Sequence, residues 1–270
     1  MSQRTLALVG PGRAGTAITL ALVARGWTVV GVAGRDEARA EALATRVGAP
    51  VRAIAELARG AAIVVVATPD AAIESATLAL LPALEDGALV VHLSGARGLD
   101  AFGAARAAVG DSSLGALHPL QTLSGEDGAA RLAGAYAAVD GPPAIAALAD
   151  EIGLVPFRVD PARRAHYHAA AVVASNHLVA LAGQVERIAG AAGVPFEAFG
   201  PLMRTSLDAV VAMGPAAALT GPVARGDVAT VEAHLAALAP DERGAYLALA
   251  REAQRLSGRI DPALTEVLRG

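Results

Sequence analysis

The sequence predicts an α/β domain built on a doubly wound parallel sheet, followed by an all-α domain. Three observations carry that prediction. The opening stretch "LALVGPGRAGTAITLAL" passes from an aliphatic strand, through glycines spaced G-x-G-x-x-G, into an apolar helix. Up to about residue 160, short β-like runs alternate with helical stretches, the pattern of parallel strands joined by crossover helices. Beyond Pro161 helical periodicity continues and no further strand is readable.

The elements follow in order. "TLALVG" reads as the first strand, and a helix follows from about Arg13 to Arg25. "TVVGVAG" precedes "RDEARAEALATRVG", whose Ala and Leu spacing is helical. "AAIVVVATPD" is apolar and β-branched on both faces, as a buried parallel strand is. "AAIESATLALLPAL" reads as helix and "GALVVHLSG" as strand. "DSSLGALHP", "AYAAVDG" and "LVPFRV" read as three more strands. One long helix is expected from Ala162 to about Gly193, with others near Phe196–Ala212, Val228–Leu238 and Asp241–Leu256. The domains are therefore expected at 1–160, an α/β domain, and 161–270, an all-helical one.

Composition narrows the class. A chain of 270 residues suits two domains. Apolar residues make up 54% and charged residues 18%, so the chain can bury a sizeable core and is not disordered. Aromatics are only 3%, so that core must be largely Ala, Val and Leu. A net charge of −4 argues against general nucleic-acid binding, which needs a concentrated basic surface. Cysteine is absent, which excludes disulfides, thiol catalysis and cysteine-ligated metals. The N-terminus runs straight into a strand that a cleaved leader would destroy. Mean hydropathy is +0.47, yet each apolar run is soon broken by Gly, Pro, Arg or Asp. A soluble cytoplasmic protein without a membrane span is expected. All 22 Lys+Arg residues are arginine, so no mechanism that needs a lysine ammonium operates here.

The turn Gly10-Pro11-Gly12-Arg13-Ala14-Gly15 is expected to bind a dinucleotide. Gly10 makes the tight turn after the strand, Gly12 lets the backbone approach a pyrophosphate, and Gly15 lets the helix pack on the strand. The helix N-terminus then offers free N–H groups to the phosphates. Where an NAD site wants a carboxylate at the end of the second strand, this chain has Gly34 and Arg35. Arg35 can pair with a 2′-phosphate, and Arg39 lies one turn further on, so NADP is favoured as cofactor. Asp36 either caps the next helix or contacts a ribose, and Arg35 is otherwise an exposed surface charge. Thr68-Pro69-Asp70 and Ser94-Gly95 end two later strands and are expected along the cofactor, with Asp70 alternatively a helix cap.

Four other positions carry candidate chemistry. His118 sits in "ALHPLQT", where Pro119 holds it extended at a strand end, either at the crevice rim or bonded to a turn carbonyl. "RRAHYHAAAVVASNHLVALAG" holds three histidines. At 100° per residue His168, Val172, Ser175 and Asn176 share one helical face, while His166 and His177 lie on another. The i, i+2 spacing of His166 and His168 with no paired carboxylate argues against a metal. His168 and Asn176 face either a cleft or a buried hydrogen-bond network. Arg225 in "ALTGPVARGD" either holds a substrate carboxylate or pairs with Asp227, which can cap the following helix.

"GPGRAG", "ATPD", "HLSGA", "LHPLQT", "YHAAAVVASNH" and "ALTGPVARGD" occur in this order. Together they resemble a bacterial two-domain family with a Rossmann-like domain followed by a helical domain of unknown function. The resemblance covers nearly the whole chain and implies an NADP-dependent oxidoreductase whose helical domain is like that of 6-phosphogluconate dehydrogenase. More distantly the architecture resembles ketopantoate reductases, β-hydroxyacid dehydrogenases and pyrroline-5-carboxylate reductases. In the first two a lysine and an asparagine one helical turn apart serve the substrate. Asn176 can stand for the asparagine, but Val172 occupies the lysine's place, so that mechanism does not transfer. The expectation is a reductase of a small carbonyl or imine, such as a ketopantoate-like 2-oxo acid, with the nicotinamide over the strand ends between the domains. His168 is the expected proton donor and His118 the alternative. Ser94 and Asn176 orient the substrate and Arg225 anchors it. A homodimer through the helical domain is expected, with no nucleic-acid or membrane partner. The competing expectations are a dinucleotide-binding sensor or assembly protein without turnover, and a deazaflavin-linked NADP reductase.

Overall fold

Side-chain alternation in β1 (Thr5–Val9) divides this strand between two cores. Leu6 and Leu8 face one, Ala7 and Val9 the other. In the computed structural model, which describes residues 4–123 and 126–269, helix α1 (Arg13–Val23) lays Ala17, Ile18, Ala21 and Leu22 on the leucine face. Strand β2 (Thr28–Ala33) pairs parallel with β1. Helix α2 (Glu37–Val47) starts at Asp36, whose carboxylate accepts from the Arg39 N–H at 3.1 Å, and it adds Ala40, Leu43 and Ala44 to the same core. Val51 then makes a single parallel bridge to Val32 on the outer side of β2. After the short helix α3 (Ile54–Leu57), strand β3 (Ile63–Val66) pairs with the other flank of β1. The chain thus reverses its direction of travel across the sheet between β1 and β3. In such sheets the reversal opens a crevice beyond the carboxyl ends of the strands.

Helix α4 (Ile73–Leu80), strand β4 (Leu89–His92), helix α5 (Ala105–Val109) and strand β5 (Leu114–Pro119) continue the parallel winding. Ile73, Ala76, Leu80 and Phe102 fill the second core against Val64 and Val66. Strand β6 (Tyr136–Asp140) then pairs antiparallel with β5, against the expected all-parallel sheet. A parallel crossover needs a helix or other long return path. Between Pro119 and Tyr136 the described residues form only two 3₁₀ turns, Glu126–Gly128 and Ala130–Leu132, so the chain folds back beside β5. Helix α6 (Pro143–Glu151) covers the first core with Ile145, Leu148 and Ala149, and β7 (Val155–Phe157) pairs parallel with β6. The seven strands stand in the order β2-β1-β3-β4-β5-β6-β7.

Beyond Pro161 the described residues form no strand. The single long helix expected here is broken: α7 (Arg164–Val172) and α8 (Leu178–Ala191) flank a π-helical segment, Val173–His177. A π turn holds more residues than an α turn, so the 100° spacing that aligned His168 with Asn176 does not carry through it. The chain divides into compact units at Ser175/Asn176, later than the composition change near 160, because α7 packs with the sheet domain. The second unit continues with α9 (Gly200–Met213), α10 (Pro215–Ala218), α11 (Pro222–Arg225), α12 (Val228–Ala237), α13 (Pro240–Ser257) and α14 (Pro262–Val267). Val223, Val231, Ala250, Leu264 and Leu268 form its core. Gln184 and Arg187 of α8 bond to Glu242 of α13. Helix α9 buries no residue and exposes Leu202, Leu207, Val211 and Met213. No helix among the described residues is long and apolar enough to cross a membrane.

Candidate active site

The glycine turn has the shape of a cradle. Gly10 adopts φ +90°, and a Cβ there would lie 2.5 Å from the Ala67 carbonyl oxygen. A Cβ on Gly15 would lie 2.4 Å from the Gly10 oxygen, so this glycine is required by packing. Gly12 differs: nothing lies within 4 Å of its Cβ position, which opens onto free space. It is the N-cap of α1, and neither a side-chain cap nor an acidic residue occupies that first turn. The helix's first amides and the positive end of its dipole are thereby left to an anion. Beside Gly10, at the end of the neighbouring strand, the Thr68 hydroxyl is buried without a hydrogen-bond partner. Such a group is normally satisfied, and a ligand along this edge would satisfy it. These residues fit a dinucleotide.

Arginines lie beside the turn. Arg13, Arg39 and Arg46 line a cavity of about 430 Å³ with Pro11, Gly12 and Thr16. Arg39 also pairs with Asp36 at 3.0 Å, so Asp36 takes the capping role that the sequence allowed it. Of the two arginines expected at a 2′-phosphate, Arg39 lines this cavity while Arg35 is exposed at the end of β2.

The ends of β4 and β5 and the start of α7 bring a second group together. His92, the last residue of β4, is fully buried. Its Nε2–H donates to the Gly98 carbonyl at 2.9 Å and its Nδ1 accepts from the Ser94 N–H at 3.1 Å. Burial pushes its pKa down to about 4, so it is a neutral brace under the turn. Ser94 is buried; its hydroxyl oxygen accepts from the Arg97 N–H at 3.1 Å, and its carbonyl accepts from Arg164 Nη2 at 3.2 Å. Gly95 follows, and a Cβ there would lie 2.6 Å from His118 Nε2 and 2.7 Å from His168 Nδ1. Only a glycine lets both imidazoles close on this turn. Their ring centroids are 6.0 Å apart.

His118 Nδ1 lies 2.6 Å from the Tyr167 hydroxyl. Burial, first, and then His168, Arg164 and His92 push the His118 pKa down to about 4, while Asp70 opposes them. His118 is therefore neutral at neutral pH, suited to hydrogen bonding and not to serving as an imidazolium acid. Asp70 opens a 3₁₀ turn and caps no helix with its side chain, so the capping role allowed to it is not realised. Arg164 is 3% exposed, and its Nε and Nη1 have no partner. Its charge disfavours protonation of both His92 and His118. His168 Nδ1 is likewise buried without a partner.

His118, His168, Ser94 and Gly95 thus meet at one end of the sheet. Thr68, Pro69 and Asp70 follow β3 at the same edge. Asn176 and Arg225 belong to the helical unit. There Arg225 pairs loosely with Asp227 at 4.0 Å, and Asp227 caps α12 through the Thr230 N–H at 3.1 Å. Sequence reasoning did not single out His92, Arg164 or Tyr167. The only signal was their position, His92 in "HLSG", and in "RAHYH" Arg164 two residues before His166 and Tyr167 between His166 and His168. Among the described residues no three His, Asp or Glu side chains gather to hold a metal ion.

Comparison with known proteins bears on this arrangement. Residues 5–94 match a family model described as NADP oxidoreductase, coenzyme F420-dependent, and residues 136–253 match a domain of unknown function, DUF2520. The two-domain resemblance and the choice of NADP as cofactor agree with these matches. The first match ends at Ser94, so it speaks for the sheet domain alone. No curated protein matches the chain. Among solved structures, a candidate NADP oxidoreductase of Bacteroides fragilis is 24% identical over 93% of this chain and 98% of its own, with a TM-score of 0.80. A protein of Thermotoga maritima is 26% identical over 98% of each chain, with a TM-score of 0.68. An imine reductase of Myxococcus stipitatus, solved with NADP+, is 19% identical over 98% of this chain and all of its own, with a TM-score of 0.64. The last likeness shows the fold: a Rossmann-like sheet domain followed by helices.

Proposed function

We propose that this protein is an NADPH-dependent reductase of a small C=N or C=O compound. The observation that carries the reading is the convergence of Ser94, Gly95, His118 and His168 beyond the strand ends, on the sheet edge that also bears the glycine turn. When bound, the reduced nicotinamide supplies a hydride to the acceptor carbon. The protein's own part is to orient the acceptor and to move a proton to its heteroatom. His168 is the proton donor in this reading. The Ser94 hydroxyl accepts from the Arg97 N–H and carries a hydrogen of its own that it donates to the acceptor. Arg39, with Arg13 and Arg46, holds the 2′-phosphate through charge-assisted hydrogen bonds. A cytoplasmic location, where NADPH is the working reductant, goes with this reading. A second copy of the chain covers the exposed apolar residues of α9, giving a homodimer through the helical unit.

The test is a titration with NADPH and NADH, followed by NADPH oxidation against cyclic imines, 2-oxo acids such as ketopantoate, and aldehydes. Turnover is expected with at least one class. His168→Ala lowers it by about 100-fold and leaves NADPH affinity within about twofold. Arg39→Ala raises the Kd for NADPH by about tenfold and leaves that for NADH unchanged. Tight NADPH binding with no turnover on any class overturns the reductase in favour of a non-catalytic sensor. No binding of either nucleotide overturns both.

A further inference from the structure

We propose that Tyr167 is a positioning residue that holds His118 as the neutral imidazole with its proton on Nε2, so that this N–H is the donor presented beside Gly95. The purpose of the arrangement rests on the reductase reading; its geometry does not. The Tyr167 hydroxyl and His118 Nδ1 are 2.6 Å apart, with the rings edge to face at 84°. Two hydrogen arrangements fit that distance. Either the phenol donates to a bare Nδ1, or Nδ1–H donates to the phenol oxygen. A phenol is a far stronger acid than the N–H of a neutral imidazole, so the O–H···N arrangement is the lower in energy. A ring that accepts at Nδ1 carries its proton on Nε2.

The surroundings agree. Nε2 lies against Gly95, where the Nδ1 of His168 also arrives, buried and unpartnered. A proton on Nε2 puts an N–H donor at this turn. The phenol is itself held. Phe157 of β7 packs edge-on against it with centroids 5.7 Å apart, and Tyr136 of β6 packs on Phe157 at 6.2 Å. The ionisable groups facing His118 come from several elements. Asp70 follows β3, His92 ends β4, and Arg164, Tyr167 and His168 are on α7. Burial, first, and then His168 and Arg164 disfavour a positive ring while Asp70 favours it, so the neutral form persists at neutral pH. Protonating Nδ1 would also break the bond from Tyr167. A neutral N–H polarises a carbonyl or imine throughout the neutral pH range, whereas an imidazolium is lost above its pKa.

Nitrogen-15 NMR of histidine-labelled protein at pH 7 reads the tautomer directly, with His118→Asn assigning the signal. The wild type is expected to show Nε2 protonated and Nδ1 bare. Tyr167→Phe keeps the ring and removes the hydroxyl. It is expected to give a tautomer mixture and, where turnover is present, a kcat lower by about tenfold with KM changed less than about twofold. A wild-type His118 protonated on Nδ1 overturns the proposal, and that reading does not depend on Tyr167→Phe folding. A tautomer unmoved by Tyr167→Phe, in a variant with the wild-type Tm, overturns it as well. The expected tautomer change in a protein that oxidises NADPH with no substrate supports the positioning role and defeats the reductase reading alone.

Discussion

Gly12 and Gly15 are three residues apart and answer to different demands. A methyl group on Gly15 meets the Gly10 carbonyl at 2.4 Å, while one on Gly12 meets nothing and projects toward the ligand side of the turn. Gly15→Ala should therefore lower the Tm by several degrees. Gly12→Ala should keep the Tm and weaken NADPH binding by about tenfold or more. Thermal unfolding and nucleotide titration on the two variants separate these effects, and a Gly12→Ala protein that binds NADPH normally removes the cradle from the argument. Both glycines were readable in the sequence because the turn is local, with strand, turn and helix consecutive. Tyr167 was not readable, since its partner His118 is 49 residues away. Gly95 was readable as a strand-end glycine, but not as the residue whose missing side chain admits two histidines.

Among the elements, α9 stands out for what it fails to cover. Val211 is 80% exposed and Leu202 63%, on a helix with no buried residue. Burying such side chains against a second copy would gain about 25 cal/mol per Å² of apolar surface. The double variant Leu202→Glu, Val211→Glu should run as a monomer in size-exclusion chromatography with light scattering, while the parent runs as a dimer. A parent that is monomeric at micromolar concentration ends the dimer proposal. The α/β alternation of the first domain was legible because helices and strands impress periods of 3.6 and 2 on the sequence. Two features left no such mark. The sense of β6 depends on the path from Pro119 to Tyr136, and the π-helical segment from Val173 to His177 on packing around it. Asp36 and Asp227 looked like caps and are caps, because a cap acts over three residues. Asp70 looked like one and is not.

At the scale of the whole molecule, the buried histidines make stability depend on pH. His92 and His118 are neutral in the fold, each with its pKa near 4 where 6.5 is ordinary. The unfolded chain therefore takes up protons that the folded chain refuses as pH falls from about 6.5 toward 4. Stability from this source is full above pH 6.5 and is lost through that window. Denaturant unfolding at pH 7.5 and pH 4.5 should show the loss. His92→Gln, less stable at pH 7.5 because it disturbs the Ser94–Gly98 brace, should lose less between the two values. Equal losses in parent and variant would remove His92 as a source. The sequence by itself determined what is local or cumulative. That includes the alternating first domain, the helical second domain, the glycine turn, the absence of lysine and cysteine, and the strand ends that bear Ser94 and His118. The tertiary structure alone decided which distant groups meet. The order of the strands sets β4 beside β5, and the packing of α7 on the sheet domain brings Arg164, Tyr167 and His168 to their ends. A contact between residues far apart in the chain leaves no periodicity behind it, so no reading along the sequence could have supplied it.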